Sequence, residues 1–267
     1  MRVNESSDGM WRLINSGPCR GSENMAVDVA IARAHAQGLV PPTLHFYSWQ
    51  PPTVSLGYHQ AIDGNVDLEA CARHGYGLCR RPTGGRAILH DCEVTFSIIV
   101  SEAILGTSSV MDSYRVLAGP IVAALRSLGA PAELVDRTAA PARAKGGANP
   151  ACFAAKARCD LMVNGRKLLG SAQLRRDGVV LEQNSLPLKL GYQRWGEIFV
   201  GAGGEALAQA ATDLWTAAGR EIAPSEVEAA LSSAFEAELG VNLQPNELTD
   251  MEETWTEEVE PSLRLGN

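Results

Sequence analysis

The amino-acid sequence predicts an α+β fold. Helix-like and strand-like segments are interspersed along the chain, without the regular alternation of βαβ units and without an internal repeat. Its 267 residues are enough for one large domain with a small appendage. We therefore expect a main domain over residues 1–204 and a helical C-terminal extension, residues 205–267, that packs on it.

The N-terminal half contains several segments with clear periodicity or end signals. Residues 22–38 are predicted to form a helix that Ser22 caps and Gly38 ends. Another helix is expected over residues 114–128, with a kink or break at Pro120. Alternation and turn residues predict the remaining elements, which are strands at 43–49, 53–58 and 94–100 and a polar helix at 63–74.

Turn and cap signals predict the C-terminal half. Residues 137–150 (RTAAPARAKGGANP) lack periodicity, which predicts a loop. Asn164-Gly165 and Asp177-Gly178 favour the positive φ angles of tight hairpin turns. The three segments that they separate are therefore predicted to form an antiparallel meander. Ser225 and Glu228 match a capping box at the start of a later helix.

The composition argues against two classes of partner. The formal net charge of −8 disfavours a general nucleic-acid binder, because phosphate contacts require a basic surface. No apolar run approaches the ~20 residues of a membrane span, and the first residues are too polar for a secretory signal. We therefore expect a cytoplasmic protein that binds neither nucleic acid nor membrane.

The six cysteines are not arranged as a structural set, since none forms a C-x-x-C pair. In a cytosolic chain they are expected to be reduced and mostly buried. Cys152 stands out because it follows the glycine-containing loop and has basic residues on both sides, Lys145 and Lys156 among them. Positive neighbours favour the thiolate, the form that attacks thioesters. The alternative is a structural thiol beside Phe153.

Residues 80–91 (RRPTGGRAILHD) form a candidate binding segment. Adjacent glycines let the backbone approach a ligand closely and adopt φ angles that other residues avoid. The flanking arginines and exposed N–H groups could hold a carbonyl, a phosphate or an acidic surface. The alternative is a glycine turn between two strands, with solvated arginines and with His90 as a satisfied polar residue.

Lys167 is a further candidate. It lies two residues after the Asn164-Gly165 turn, and on a strand its side chain would share a face with Leu169. A lysine on an apolar face is costly to bury unless it is paired, and burial disfavours its charged form in a way that suits catalysis. The alternative is a solvated lysine at a sheet edge.

Taken together and in this order, several segments resemble the lipoate–protein ligase/octanoyltransferase family, and in it the cysteine-dependent, ligase-like octanoyltransferases. The matching segments are residues 11–14 (WRLI), 23–28 (ENMAVD), 42–44 (PTL), 46–47 (FY), 54–58 (VSLGY), 80–91, 151–153 (ACF) and 165–173 (GRKLLGSAQ). The resemblance implies the catalytic-domain fold of biotin– and lipoate–protein ligases, which is related to that of class II synthetases. In that fold a mixed central sheet is flanked by helices.

The resemblance also implies roles for individual residues. Cys152 would carry the acyl group, and Lys167 would contact the acyl carbonyl. The substrate pocket would be lined by Arg81, Thr83, Gly84, Gly85, Arg86, His90, Gly170, Ser171 and Ala172. The implied reaction moves octanoate from octanoyl-acyl carrier protein to a lysine of a lipoyl domain or of the glycine-cleavage carrier protein, without a metal or another cofactor. Basic side chains at positions 80, 81, 86, 143, 145, 156 and 158 would steer these acidic partners.

Two features favour the transferase over an ATP-dependent ligase. Arg86 stands where such ligases usually carry a third glycine, and the C-terminal residues are too few for the accessory domain of the longer ligases. Residues 154–158 (AAKAR) depart from the stretch that usually follows the family's cysteine. Two alternatives are kept: a ligase that forms a lipoyl-adenylate with ATP and Mg²⁺, and a non-catalytic binder of lipoyl domains or acyl carrier proteins.

Overall fold

The computed structural model describes residues 9–136, 159–201 and 203–265. The strands are β1 (Met10–Cys19), β2 (Thr43–Trp49), β3 (Thr53–Leu56), β4 (Gly77–Arg80), β5 (Ile88–His90), β6 (Glu93–Ser101), β7 (Glu133–Asp136), β8 (Cys159–Val163), β9 (Arg166–Lys167), β10 (Gly170–Arg176), β11 (Val179–Pro187) and β12 (Asn242–Pro245). The helices are α1 (Gly21–Ala36), α2 (Leu68–His74), α3 (Glu102–Leu105), α4 (Val110–Ser127), α5 (Tyr192–Ile198), α6 (Gly204–Ala210), α7 (Leu214–Ala218), α8 (Pro224–Leu239) and α9 (Asp250–Leu263). The predicted α+β class is confirmed.

A six-stranded sheet in the order β10-β11-β6-β2-β1-β12 forms the centre of the molecule. β1 pairs in parallel with β2 and β12, whereas the other neighbours are antiparallel. The central sheet is therefore mixed, as expected. Two three-stranded sheets, β4-β3-β5 and β7-β8-β9, accompany it. No helix in the described ranges is long and apolar enough to span a membrane.

The largest apolar cluster joins one face of the central sheet to α4 and α8. Phe46 and Phe96 of neighbouring strands meet Leu117 and Leu125 of α4 and Phe235 of α8, and all five side chains are buried. Burial of each such side chain contributes about 1.5–3 kcal/mol. This cluster holds the sheet in the position from which its other face can form a site.

The opposite face of the sheet is covered by α1, and α1 is covered in turn by α9. Ile31 of α1 packs with Ile99 of β6. The buried guanidinium of Arg12 pairs with Glu252 of α9 at 2.6 Å. Thr249 and Glu252 form a capping box at the start of α9. The C-terminal residues are thus anchored against the first strand and the first helix.

Two predicted helix starts are wrong. α1 begins at Gly21 rather than after Ser22, and its N-cap residue, Arg20, makes no side-chain hydrogen bond. α8 begins at Pro224, ahead of the predicted Ser225–Glu228 capping box, and its N-cap residue makes no side-chain hydrogen bond. Proline is favoured in a first turn because its missing N–H would be unpaired there in any case.

Two further predictions need correction. α4 does not break at the buried Pro120 but continues through it, and the kink that the sequence offered as the alternative stays a prediction. The C-terminal extension, predicted to be helical, also contributes β12, which pairs with β1 at the edge of the central sheet. The boundary at residue 204 remains a prediction.

The predicted three-stranded meander is wrong, although its two turns form as expected. Asn164 and Asp177 have φ angles of 48° and 53°. The first hairpin, β8–β9, belongs to the sheet β7-β8-β9, and the second, β10–β11, belongs to the central sheet. The chain passes between the sheets at Leu168 and Leu169, which are both buried.

Candidate active site

A cavity of about 410 Å³, counting the part open to solvent, lies between α1, β5 and the hairpin β10–β11. Met25, Tyr47, Trp49 and Ile88 supply apolar surface to its walls, and Gly170 brings backbone to it. Apolar walls with a few polar groups are typical of pockets that bind small organic molecules. The cavity is therefore suited to an alkyl chain that ends in a polar group.

Most of the residues predicted to bind substrate are brought together here. Those that line the cavity are Arg81, Gly85, His90, Gly170, Ser171 and Ala172. Gly84 lines a second groove on the neighbouring surface. Thr83 and Arg86 are not among the described residues that line the cavity, but both contact residues that do.

Arg81 organises the loop that connects β4 to β5, residues 81–87, which we call the glycine loop. Its side chain is 4% exposed. Nη2 donates to the carbonyl oxygens of Gly84 and Arg86 at 2.8 and 2.7 Å. Nη1 donates to the backbone oxygen and the hydroxyl of Ser55 at 3.1 and 3.0 Å. Arg81 therefore shapes the loop from inside, a role that the sequence did not predict.

Glycine is required at Gly85 of this loop and at Gly57 beneath it for two different structural reasons. Gly85 has a φ of +95°, which residues with a side chain rarely adopt. Its carbonyl oxygen lies so close to Gly57 that a Cβ on Gly57 would stand 2.1 Å from it. The loop is thus packed directly on the backbone that follows β3. The close approach that was expected to a ligand is seen here to the backbone of Gly57.

His90 uses both ring nitrogens within the protein. Nε2 lies 2.8 Å from the hydroxyl of Ser55, and Nδ1 lies 2.7 Å from Oε1 of Glu93. The ring stacks on Trp49 with 3.9 Å between centroids and 11° between planes. His90 therefore forms part of the cavity wall while its nitrogens are committed to Ser55 and Glu93.

Thr83 connects the glycine loop to a second buried carboxylate. Its hydroxyl donates to Oε1 of Gln183 at 2.7 Å, and Nε2 of Gln183 donates to Asp28 at 2.7 Å. Asp28 also accepts hydrogen bonds from Ser97 at 2.6 Å and Tyr47 at 3.1 Å. A buried carboxylate is tolerated when several donors surround it. Thr83 thus anchors the loop from the side opposite to Arg81.

Lys167 is buried and paired. Its ammonium lies 2.8 Å from Oδ1 of Asp160 on the neighbouring strand β8, and both side chains are buried. A buried lysine at this position was expected to need a partner of opposite charge, and Asp160 is that partner. Lys167 is not among the described residues that line the cavity, but Gly170, three residues further along, does line it.

The segment that contains Cys152 lies outside the described residues, as do Arg143, Lys145, Lys156 and Arg158. Its two flanks are described. Asp136, the last residue of β7, pairs directly with Cys159, the first residue of β8. Asp160, the partner of Lys167, follows at once. The segment therefore leaves from and returns to the sheet that carries Lys167.

The other five cysteines are free thiols, and burial is the main cause that raises the pKa of each. The pKa of Cys71 is raised to about 11 and that of Cys79 to about 12. Cys19, Cys92 and Cys159 shift in the same direction. A raised pKa lowers the fraction of thiolate, which is the nucleophilic form.

Sequence reasoning missed the buried acids around the site, which are Asp28, Glu93 and Asp160. Asp28 had a visible signal, since it is a charged residue on the buried side of an otherwise apolar stretch of helix. Glu93 and Asp160 had none, because their partners His90 and Lys167 are defined only by the fold. No group of three or more His, Cys, Asp or Glu side chains in the described ranges is placed to hold a metal ion.

Comparison with known proteins places these features in context. The family described as the lipoyl protein ligase A/B catalytic domain matches residues 20–236. A protein named Octanoyltransferase LipM from Symbiobacterium thermophilum is 42% identical over 254 residues, which cover 91% of each chain. Another protein of that name, from Kyrpidia tusciae, is 40% identical over 93% of this chain and 94% of its own. A solved bi-partite lipoate protein ligase from Thermoplasma acidophilum has a TM-score of 0.75 at 22% identity, covering 94% of this chain and 92% of its own.

Proposed function

The chain belongs to the lipoyl protein ligase A/B catalytic-domain family, and within that family we propose that it carries the octanoyl group as a thioester on Cys152. The broader activity follows from relatives named octanoyltransferases that match 91–94% of the chain. The protein is an acyltransferase that moves octanoyl groups in protein lipoylation. The predictions of family and of activity are confirmed.

The protonation of the other cysteines carries the thioester proposal. Five of the six cysteines are buried or half-buried, and desolvation raises the pKa of each, so each is a poor nucleophile near neutral pH. Cys152 is the sixth, and basic residues precede and follow it in the sequence. Its segment also returns to the strand that holds the partner of Lys167. These observations support Cys152 as the acyl carrier.

The reaction would proceed in two balanced halves. The Cys152 thiolate attacks the thioester carbonyl of octanoyl-acyl carrier protein, the bond to the carrier sulfur breaks, and the carrier thiolate takes up a proton. The amine of a lysine on a lipoyl domain or on the glycine-cleavage carrier protein then attacks the new thioester. An amide forms, the amine loses a proton, and the Cys152 thiolate leaves. Thioester exchange is nearly neutral and amide formation is downhill, so neither half needs ATP.

Lys167 and N–H groups of the glycine loop would stabilise the negative charge that develops on the carbonyl oxygen. A donor of this kind typically lowers the activation barrier by about 3 kcal/mol. In this proposal the 2.8 Å ion pair with Asp160 orients the ammonium. The apolar walls formed by Met25 and Ile88 would hold the alkyl chain.

Intact-protein mass spectrometry tests the covalent step. The protein is mixed with octanoyl-acyl carrier protein, quenched in acid and weighed. We expect an octanoyl adduct on the wild type and on the matched control Cys159→Ala, and none on Cys152→Ala. An adduct that survives Cys152→Ala and disappears in Cys159→Ala would identify Cys159 as the nucleophile and contradict the proposal. Iodoacetamide at pH 7.5 should likewise modify Cys152 before the other thiols, because their pKa values are raised.

The role of Lys167 needs a variant that separates chemistry from stability. Lys167→Met is expected to slow acyl transfer about 100-fold. It also leaves the buried Asp160 without its cation, which costs about 3–5 kcal/mol of stability. The double variant Lys167→Met/Asp160→Asn removes that unpaired charge. If the double variant transfers at the wild-type rate, the lysine acts only through stability.

Paired assays separate the remaining alternatives. An apo lipoyl domain is incubated with octanoyl-acyl carrier protein without ATP, or with lipoate, ATP and Mg²⁺. Product only in the first mixture supports the proposal, product only in the second supports the ligase, and binding without product supports the non-catalytic binder.

We place the reaction in the cytoplasm, where five free cysteines would stay reduced.

A further inference from the structure

We infer that Glu93 is a positioning residue for acyl transfer, acting through His90, Ser55 and Arg81 on the shape of the glycine loop. The inference rests on the proposed function only in taking this loop as the wall that receives the acyl carbonyl. Glu93 stands behind the cavity and does not line it, whereas His90, Ser55 and Arg81 all do.

Glu93 is a buried acceptor with three donors. Its side chain is 4% exposed. Oε2 accepts from the hydroxyl of Ser185 at 2.7 Å, and Oε1 accepts from the hydroxyl of Thr95. The same Oε1 lies 2.7 Å from Nδ1 of His90. Because a carboxylate can only accept, His90 must present a protonated Nδ1 to it.

The protonated Nδ1 of His90 fixes which group donates in the two hydrogen bonds that follow, Ser55 to His90 and Arg81 to Ser55. With Nδ1 protonated in a neutral ring, Nε2 is an acceptor, so the hydroxyl of Ser55 donates to it across 2.8 Å. The oxygen of Ser55 is then available as an acceptor, and Nη1 of Arg81 donates to it at 3.0 Å. The order of donation therefore runs from Arg81 through Ser55 and His90 to Glu93. In a neutral ring, reversing the Ser55–His90 bond would leave an unprotonated Nδ1 against the carboxylate, so that two acceptors would face each other.

The other end of this chain of bonds is the glycine loop. Arg81 donates to the carbonyl oxygens of Gly84 and Arg86, which flank Gly85 on either side. In a trans peptide the N–H points opposite to the C=O. Holding the Gly84 oxygen against Arg81 therefore turns the N–H of Gly85 away from it. The orientation of the amide that borders the cavity thus depends on where Arg81 is held.

The same carboxylate also fixes an apolar wall of the cavity. Thr95, which donates to Glu93, accepts from Nε1 of Trp49 at 2.7 Å. Trp49 in turn stacks on the ring of His90 at 3.9 Å. Glu93 is therefore linked to Trp49 both through the hydroxyl of Thr95 and through the ring of His90. All the side chains that it contacts directly, His90, Thr95 and Ser185, line the cavity, which is the distribution expected of a group that sets the shape of a site.

The test uses Glu93→Gln, which keeps size and shape but lets an amide N–H face His90. A matched control is Glu197→Gln, which alters another glutamate–histidine pair, at 2.8 Å from His74 on the surface. Nitrogen NMR of protein labelled with ¹⁵N-histidine reports which ring nitrogen of His90 carries the proton. We expect protonated Nδ1 in the wild type and in the control, and a shift toward protonated Nε2 in Glu93→Gln.

Single-turnover kinetics supply the functional readout. At saturating octanoyl-acyl carrier protein, Glu93→Gln is expected to transfer about 10–100-fold more slowly, because a displacement of about 1 Å at a reacting site can cost up to about 100-fold. The KM for the donor should change far less, because the alkyl-binding walls remain. Glu197→Gln should match the wild type in both parameters. Urea unfolding of each variant shows whether a rate loss reflects unfolded protein.

A second variant covers the case in which Glu93→Gln does not fold. Ser55→Ala breaks the chain in the middle and leaves the carboxylate with His90, so the Nδ1 proton should stay while the rate falls by a similar factor. Protonated Nε2 in the wild type, or a folded Glu93→Gln or Ser55→Ala that transfers within twofold of the wild-type rate, overturns the inference. The NMR measurement is made on the protein alone. Its failure is therefore distinguishable from a failure of the wild type to transfer octanoate.

Discussion

Replacing Glu182 with glutamine should remove a pH dependence of the unfolding free energy whose size follows from the burial of this one carboxyl group. Glu182 lies on β11, is 2% exposed, and accepts a hydrogen bond from Gln173 on β10 at 2.6 Å. Burial raises its pKa from 4.5 to about 7, and hydrogen bonds with Gln173 and Asn184 only partly oppose the shift. The folded protein therefore prefers the protonated acid at pH values where the unfolded chain is ionised.

The sign and size of the pH effect on the unfolding free energy follow from the difference between the pKa of Glu182 in the folded and in the unfolded protein. A raised pKa in the folded state contributes stability that is fully present below the unfolded pKa of 4.5 and is lost as pH rises through about 7. Between pH 5.5 and pH 8 the wild type should lose about 2 kcal/mol of unfolding free energy through this one group. Glu182→Gln keeps an acceptor for Gln173 but cannot titrate. Relative to the wild type, the variant should gain that same amount over the same interval.

Urea unfolding at pH 5.5, 6.5, 7.25 and 8 measures the effect as a difference between the two proteins, so the titration of all other groups cancels. Glu257→Gln is the control, because Glu257 is exposed on α9. Its difference from the wild type should not change over this range. If the difference for Glu182→Gln is equally flat, or falls as pH rises, then Glu182 is not held as a protonated acid in the folded protein.

Two further substitutions test close packing and buried charge. Gly57→Ala would bring a methyl group to 2.1 Å from the Gly85 oxygen, so it should displace the glycine loop, cost about 1–3 kcal/mol in urea unfolding and slow acyl transfer at least tenfold. Gly119→Ala, on an exposed turn of α4 with open space around it, should instead be neutral or slightly stabilising. Glu252→Ala should cost about 3–5 kcal/mol, because it leaves the buried Arg12 without its partner, whereas the double variant Arg12→Met/Glu252→Leu should recover most of that loss. Equal unfolding free energies for the single and double variants would contradict that explanation.

Local signals in the sequence were sufficient where a structure depends on near neighbours. The hairpin turns at Asn164 and Asp177 have the positive φ angles that their Asn-Gly and Asp-Gly dipeptides predict. The strand over residues 43–49 was predicted to the residue, because its turn residues bound it closely. Where two local patterns competed, the prediction failed: α8 begins at Pro224, and the neighbouring Ser225–Glu228 pattern does not cap it.

The order of motifs along the chain was enough to identify the family, and with it the fold and the transfer of octanoyl groups. It also brought attention to Arg81, His90 and Lys167 before their surroundings were known. It could not assign their partners. Nothing near Lys167 in the sequence marks Asp160 as its counterion, and nothing near Arg81 predicts that its charge is directed at loop carbonyls.

The amino-acid sequence alone thus determined the family and the local turns, because dihedral preferences, turn signals and motif order are properties of short stretches, and its assignment of the residues that carry the chemistry stays a prediction. Only the tertiary structure decided how those residues are held. Glu93 meets Ser185 across 92 positions, and Asp28 meets Gln183 across 155. Such contacts arise from the register between strands and from the burial of α1 on the sheet. Those are properties of the whole chain packed against itself, and no local pattern encodes them.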